Sequence, residues 1–264
     1  MDHWKMSVRR FLLIGILLVS GTVAYGGDQG MADKRPGLGP GTGTSFLYTG
    51  KRFGIPVLKA YIKIENGSFD QGKPVCQIQA HADSVNLGFL FHMNNHFTSV
   101  VETETFTPIR YVKEIDQRGF LRETKNYRQT LTFDATHGKV VVEQKGEKRE
   151  VPLPSNTYDP LSMFARYYLK EELRPDQDIR MFIYDGVKLR EVVFHSRKEK
   201  VNTKLYGEIE AVCLESTTSF STFGDKEGVI RIWYTADKGK TPVSIEMDLP
   251  VGDVVFDLDS VERS

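Results

Sequence analysis

The chain has no excess charge of either sign, and this shortage excludes a class of partner. Its 264 residues include 35 basic and 35 acidic side chains, so the formal net charge is zero. Nucleic-acid binders need basic surface to attract phosphates, and adhesion to anionic lipid also depends on basic charge. No nucleic-acid partner is therefore expected, whereas small molecules, proteins and uncharged lipids stay open.

Cysteine is almost absent as well, since Cys76 and Cys213 are the only two. Both lie in apolar, strand-like stretches rather than beside a histidine at a helix start, so a cysteine nucleophile is not expected. In an oxidising compartment the two could form one disulfide. They could equally be two separate buried thiols, because cysteine is among the most often buried residues. Sequence does not give their separation, and both alternatives stay open.

The motifs of common enzymes are also missing. The chain contains no nucleophile elbow, no phosphate-binding loop, no dinucleotide fingerprint and no zinc-protease motif. Carboxylates do occur at alternate positions, where a strand would place each pair on one side, as acid–base catalysis requires. Solvated strand edges carry the same pattern, so no catalytic residue is assigned. The pairs are Glu102 with Glu104, and Glu114 with Asp116.

His92 and His96 have the spacing of two metal ligands on a helix. The intervening Asn94-Asn95 predicts a turn into a strand that starts near Phe97, which would break that geometry. No third ligand is identifiable. Neither a metal nor a cofactor is expected.

The first 24 residues have the three parts of a secretory signal. Basic residues precede an apolar run from Phe11 to Val19, and small residues follow up to Ala24. The run is shorter than the roughly 20 residues of a spanning helix, so cleavage near Ala24 is predicted, with an uncleaved anchor as the alternative. No cysteine follows the run to carry a lipid. The sequence therefore predicts a periplasmic protein with no permanent membrane anchor.

Residues 25–44 are rich in glycine and proline and predict a flexible leader. A single β-rich domain is expected over residues 45–264, because apolar and polar residues alternate in many short segments. Ala60, Ile62 and Ile64 form one such segment, and the following Asn66-Gly67 predicts a hairpin turn. The fold prediction is all-β and mainly antiparallel, a curved sheet or β-barrel-like domain.

One amphipathic helix is predicted to pack on this sheet. Asp159 can cap it, Pro160 suits its first position, and apolar residues from Leu161 to Leu169 follow at helical spacing. A weaker second helix is predicted between Ser84 and Phe91. A sheet closed by a helix can enclose an apolar pocket, although aromatic residues more often fill a core. The aromatics considered as pocket lining are Phe89, Phe91, Phe97, Tyr111, Phe164, Tyr167, Tyr168, Phe182, Tyr184, Phe194, Trp233 and Tyr234.

Several segments together resemble an exported bacterial family catalogued as domain of unknown function 3108 (DUF3108). The resemblance runs from Phe46 to about Asp259, departs from the family pattern at Tyr61, and lacks the lipid-attachment cysteine of some members. It implies a periplasmic β-barrel-like domain and brings no activity or catalytic residues. In outline such a domain is similar to the half-barrels of lipoprotein carriers, which is a likeness of fold only. The segments are Phe46-Leu47-Tyr48, Gly54-Ile55-Pro56-Val57, Asp159-Pro160-Leu161-Ser162, and Ile232 to Asp237 leading into Thr241-Pro242-Val243.

These observations favour a non-enzymatic envelope protein that binds a lipid, another apolar ligand or another envelope component. One alternative is a hydrolase of envelope glycan or lipid that uses carboxylates such as Glu102 and Glu104. The other is a structural partner in an envelope assembly, with a sheet edge as its contact.

Overall fold

The computed structural model describes residues 41–70, 72–85, 91–119, 122–220, 226–249 and 252–264. The predicted signal and most of the predicted leader lie outside these residues. The first strand begins at Gly43, so the last two leader positions already belong to the sheet.

Fifteen strands and one α-helix make up this part of the chain. The helix, α1, spans Pro160–Leu169. No helix in the described ranges has the length and hydropathy needed to cross a bilayer. The strands are β1 Gly43–Arg52, β2 Ile55–Asp70, β3 Lys73–Ser84, β4 Phe91–Glu102, β5 Pro108–Gly119, β6 Arg122–Asp134, β7 Lys139–Gln144, β8 Glu147–Pro152, β9 Thr157–Tyr158, β10 Asp178–Tyr184, β11 Leu189–Thr203, β12 Gly207–Phe220, β13 Lys226–Thr235, β14 Pro242–Asp248 and β15 Val254–Arg263.

All fifteen strands form one sheet whose order follows the chain. From one edge the order is β8 to β1, then β15 down to β9, so the first strand pairs with the last. Every pairing is antiparallel except that of β9 with β10. This confirms the predicted all-β, mainly antiparallel fold, which follows from the alternation of apolar and polar residues.

The sheet is strongly curved. As a result, the turn between β10 and β11, near one edge of the sheet, lies against the inner face of the sheet near the opposite edge. The β10–β11 turn at Asp185-Gly186 receives hydrogen bonds from side chains of β5, β6 and β8. Lys113 Nζ donates to the Asp185 carbonyl at 2.5 Å. Arg149 Nη2 and Gln129 Nε2 donate to the Gly186 carbonyl at 2.8 and 3.4 Å. We call these three side chains with this turn the latch.

The latch requires glycine at position 186, and Gly186→Ala is expected to destabilise the protein by about 1–3 kcal/mol. Gly186 has φ +88°, and a Cβ there would lie 2.2 Å from Gln129 Oε1. Gly146→Ala is the matched control, because its φ is +81° with open space around the added Cβ. Thermal unfolding of both variants should show the larger loss for Gly186→Ala. Equal losses would mean that the contact with Gln129 contributes nothing.

The interior of the curled sheet is filled by α1. Seven of its ten residues are buried, as the amphipathic pattern predicted. The Phe46 ring packs edge-on against Phe164 and Tyr168, with centroids 6.4 and 4.9 Å apart. Phe164 also contacts Tyr234 of β13 at 6.2 Å. The helix thus joins strands from both halves of the sheet.

The start of α1 is fixed as the sequence predicted. Asp159 Oδ1 accepts hydrogen bonds from the backbone N–H of Leu161 and Ser162, at 2.9 and 3.0 Å. The Ser162 hydroxyl accepts in return from the Asp159 N–H, which completes a capping box. Ser99 on β4 donates to Asp159 Oδ2 at 2.7 Å, so the cap also ties the helix to the sheet.

Two local predictions are wrong. Asn66-Gly67 is a β-bulge inside β2 rather than a hairpin turn, with Gly67 at φ +96°. Asn94-Asn95 lies within the continuous strand β4. In both cases strand pairing overrides the local preference of the residues. Most of the predicted second helix, residues 86–90, lies outside the described ranges, and its predicted end residues Ser84 and Phe91 belong to β3 and β4.

Cys76 and Cys213 are free thiols, and both are buried. Cys76 on β3 belongs to the core inside the sheet. Cys213 on β12 lies under the charged side chains of Arg197 and Glu215, on the opposite face. The disulfide is thus not formed, and the alternative of two separate thiols holds. Burial raises the pKa of each thiol to about 12, so neither is a thiolate at neutral pH.

Candidate functional site

The structure separates the two histidines that had metal-like spacing. His92 and His96 lie four residues apart on strand β4 rather than on a helix. At about 3.3 Å per residue their side chains are about 13 Å apart, too far to chelate one ion. His96 instead stacks on His81 of β3, with ring centroids 3.7 Å apart. Within the described residues, no cluster of three or more potential ligands has the geometry of a metal site.

The candidate carboxylates do not form a catalytic pair. Glu102 ends β4 and its Oε2 accepts from Thr105 Oγ1 at 2.9 Å. Glu104 is exposed in the following turn, so strand alternation no longer places it beside Glu102. These positions offer no geometry for general acid–base chemistry.

The other two candidate carboxylates lie on the outer face of β5. Glu114 pairs with Arg128 at 2.6 Å, and Asp116 pairs with Arg118 at 3.0 Å. The hydrogen bond from Arg118 is the main cause that lowers the pKa of Asp116, so both groups act as surface ion pairs.

The latch holds the most deeply buried lysine among the described side chains. Lys113 is 7% exposed, and burial lowers its pKa, although the nearby charge of Asp185 partly opposes this. Burial alone would raise the pKa of Asp185. Hydrogen bonds from the backbone N–H groups of Lys188 and Val187, together with the charges of Arg190 and Lys113, outweigh it and lower that pKa. The charged side chains of Lys113, Asp185 and Arg190 hold the β10–β11 turn in place, and none of them lines either cleft described below.

The lowered pKa of Lys113 gives an expected pH dependence. The ordinary lysine pKa is about 10.4 and the folded value is lower, so the unfolded chain binds more protons between the two values. The stability of the wild type relative to Lys113→Met should therefore rise with pH through that window, because methionine does not titrate. The comparison cancels the opposite contribution of the buried thiols, whose raised pKa lowers the stability of both proteins as pH rises. Urea unfolding at several alkaline pH values checks this, with the exposed Lys148→Met as control. An unchanged difference between the wild type and Lys113→Met would contradict the lowered pKa.

Two open clefts lie at either end of α1, and neither lies beneath its buried face, where the sequence allows either an apolar pocket or a filled core. The first lies beside the segment that connects β8 to β9, the two terminal strands of the sheet order. These strands do not pair with each other, although both are fully described. We call this first cleft the seam cleft. The second, the helix-end cleft, adjoins the residues that follow α1.

The seam cleft has a volume of about 380 Å³ and mixed walls, because seven of its fourteen lining residues are polar. Phe133 and Leu153 are half-buried and pack against the core with one side only. Their other sides face the cleft, and Tyr158 is buried at its base. A volume above about 300 Å³ is typical of small-molecule sites. The full lining is Thr107, Pro108, Phe133 to Thr136, Gly138, Lys139 and Leu153 to Tyr158.

Local hydrogen bonds shape the walls of the seam cleft. The Leu153 N–H donates to the Gly138 carbonyl at 2.7 Å, which joins the two loops that flank it. Thr157 Oγ1 donates to the Pro154 carbonyl at 2.7 Å and curves the segment between them. Asp134 accepts from the backbone and the ring of His137, and these bonds lower the pKa of Asp134. These hydrogen bonds order the polar groups that line the cleft beside Phe133 and Leu153.

The helix-end cleft is similar in volume, about 430 Å³, but its charges serve local structure. Lys240 Nζ donates to the carbonyls of Tyr167 and Glu171, at 3.1 and 2.6 Å, and so closes the end of α1. Asp237 accepts from the Thr235 hydroxyl and two backbone N–H groups of its own turn. Lys170 donates to the Glu104 carbonyl. The polar groups of this cleft are therefore occupied by structural contacts.

The aromatic residues considered as pocket lining mostly fill the core. Tyr111, Phe164, Tyr168, Phe194 and Tyr234 are at most 4% exposed. Trp233 lies on the outer face, where its indole N–H donates to Glu199. Phe89 lies outside the described residues. The seam cleft itself was not predicted, because its walls come from three loops that are separate in sequence.

No curated protein matches this chain in sequence. Among solved structures, the chain is similar to the crystal structure of a β-barrel-like protein of domain of unknown function DUF1849 from Brucella abortus. The two share 11% identity and a TM-score of 0.54, and the match covers 85% of this chain and 98% of the other. This likeness shows the fold alone. The family model for "Protein of unknown function (DUF3108)" matches residues 46–259, and the chain therefore belongs to that family.

Proposed function

We propose that this protein is a non-enzymatic component of the bacterial cell envelope that binds a lipid or another apolar ligand in the seam cleft. The observation that carries the proposal is the half-buried pair Phe133 and Leu153 on the wall of a cleft of about 380 Å³. A ligand that covers these side chains would remove apolar surface from water, which favours binding. The secretory signal predicted from the first 24 residues supports export, and a neutral net charge is compatible with an uncharged or amphipathic ligand.

The lining of the cleft favours an amphipathic ligand. Its walls are two loops and the segment that leads into α1, and they combine the apolar side chains of Phe133 and Leu153 with polar side chains such as that of Lys139. A ligand with an apolar chain and a polar head could place the chain along Phe133 and Leu153. The head would then lie near the ion pair between Lys139 and Glu150, whose atoms are 3.0 Å apart.

The test uses N-phenyl-1-naphthylamine, an uncharged fluorophore that brightens in apolar surroundings. The wild type should bind it saturably, and Leu153→Ser should weaken binding about three- to tenfold because part of the apolar wall is lost. Leu173→Ser is the matched control, since Leu173 is a half-buried leucine of the helix-end cleft. Native mass spectrometry of the protein from its own host should also show a co-purified lipid. Equal binding by both variants and a bare protein would refute the proposal.

The free edge of β8 favours a second candidate, a structural partner in an envelope assembly. β8 pairs only with β7, and most of its side chains are exposed. An unpaired strand edge can accept a strand from another protein. However, Glu147, Lys148, Arg149 and Glu150 make this edge highly charged, which opposes strand addition. Sedimentation velocity would reveal self-assembly, and a strictly monomeric protein would weigh against it.

A further inference from the structure

The turn between β1 and β2 carries an apolar tip that is largely exposed. Phe53 is 80% exposed and Ile55 is 64% exposed. Exposed apolar surface of this size costs free energy in water. The remaining large hydrophobic side chains with high exposure among the described residues lie singly, at Phe69, Val187 and Leu205. The tip is therefore a local concentration of exposed apolar surface.

The backbone of the tip also disfavours the residue that occupies it. Phe53 and Gly54 have φ values of +51° and +76°, so both adopt the left-handed conformation of a type I′ hairpin turn. Asn, Asp and Gly are preferred at the first of these positions, and a bulky residue with positive φ is strained. Asparagine at position 53 would relieve both the strain and the exposure. Phenylalanine at this position thus points to a contact outside the folded domain.

The small size of the tip fits a lipid bilayer better than a protein. A stable protein interface buries about 800 Å² on each partner, far more than two side chains on a convex turn provide. A fluid bilayer accepts a small convex apolar tip, and aromatic rings are common at its interface. The Arg52 guanidinium lies 5.2 Å from the centroid of the Phe53 ring, so a cation–π contact supports the ring within the tip.

We propose that the β1–β2 tip inserts Phe53 and Ile55 into the surface of a lipid bilayer and docks the domain there reversibly. This contact is independent of the seam cleft. In an antiparallel meander, the β1–β2 turn and the β6–β7 turn that lines the cleft lie at opposite ends of the strands. Failure of either proposal therefore leaves the other standing.

The test is flotation of the full chain with vesicles of phosphatidylethanolamine and phosphatidylglycerol. The double variant Phe53→Asn with Ile55→Thr should lose vesicle affinity by about tenfold or more, because each apolar side chain that inserts contributes strongly to binding. Its melting temperature should equal or exceed that of the wild type, since asparagine suits the turn, so a folding defect cannot explain the loss. All variants keep the same N-terminal segment, and any lipid binding by that segment cancels in the comparison.

Phe69→Thr is the matched control, because Phe69 is 72% exposed at the other end of the sheet. It should bind vesicles like the wild type. Three results would overturn the proposal: wild-type binding by the double variant, an equal loss with Phe69→Thr, or self-association through the tip without any lipid.

Discussion

Phe164→Ala is expected to lower the free energy of unfolding by about 3–5 kcal/mol, which corresponds to a fall in Tm of about 6–20 °C. Phe164 is 4% exposed, and its ring contacts Phe46 on β1 and Tyr234 on β13. The substitution leaves a cavity between the helix and two strands from opposite halves of the sheet. Those strands cannot close the gap without shifting the pairing that holds them.

Phe69→Ala is the control for this variant, because the same side chain is removed from a position that is 72% exposed. It should change the unfolding free energy by about 0.5 kcal/mol or less. Denaturant unfolding followed by the fluorescence of Trp233 would measure both variants. A loss with Phe164→Ala no greater than with Phe69→Ala would place α1 outside the core.

Asp159→Ala is expected to destabilise the protein by about 2–4 kcal/mol. The change removes the N-cap of α1 and leaves the buried Ser99 hydroxyl without its acceptor. Asp159→Asn should cost less, because the amide oxygen can still accept from the N–H groups of Leu161 and Ser162. Thermal unfolding of the two variants side by side measures the difference. Equal losses would show that the geometry of the cap, rather than its acceptor atoms, fixes the helix.

Comparison of the wild type with Asp159→Asn gives an expected pH dependence with a definite sign. Burial raises the pKa of Asp159, although hydrogen bonds from Ser99, Ser162 and Leu161 partly offset this. The folded pKa is therefore above the unfolded value of about 3.9. Stability of the wild type relative to Asp159→Asn should fall as pH rises through this window, because the folded chain must release its proton. A relative stability that is constant across the window would contradict the raised pKa.

The helix was predictable because its signals are local. A cap at Asp159, proline at the next position and an apolar stripe all lie within about ten residues, and the structure shows each in its expected role. The alternation of the strands is equally local and led to the correct fold class. The Asn66-Gly67 turn failed for the opposite reason. Asn66 exchanges backbone hydrogen bonds with Gly41 and Thr42 from a distant part of the chain, and this pairing makes the bulge.

The candidate site was not predictable, because it depends on how the sheet curls. The seam cleft combines loops around Pro108, Ala135 and Pro154, and strand alternation carries no information about their distance. The latch was not predictable for the same reason. In the sequence Lys113 and Gln129 are ordinary polar strand residues, and only the curvature of the sheet brings the β10–β11 turn into contact with them. The apolar tip is different. Its Phe-Gly turn and exposed ring are readable from the sequence once the turn itself is known.

The pairing of the first strand with the last has a consequence for the order in which this protein folds. Thr49 on β1 hydrogen bonds Asp259 on β15 across 210 residues, whereas most other strands pair with a neighbour in the chain. The hairpins can therefore form early, but the joint between the two halves of the sheet must wait for the end of the chain. A nascent or truncated chain that lacks β15 would present β1 and β14 as two unpaired edges in the middle of the sheet. Such edges are prone to aggregation, so the last ten residues of the sheet protect the whole domain.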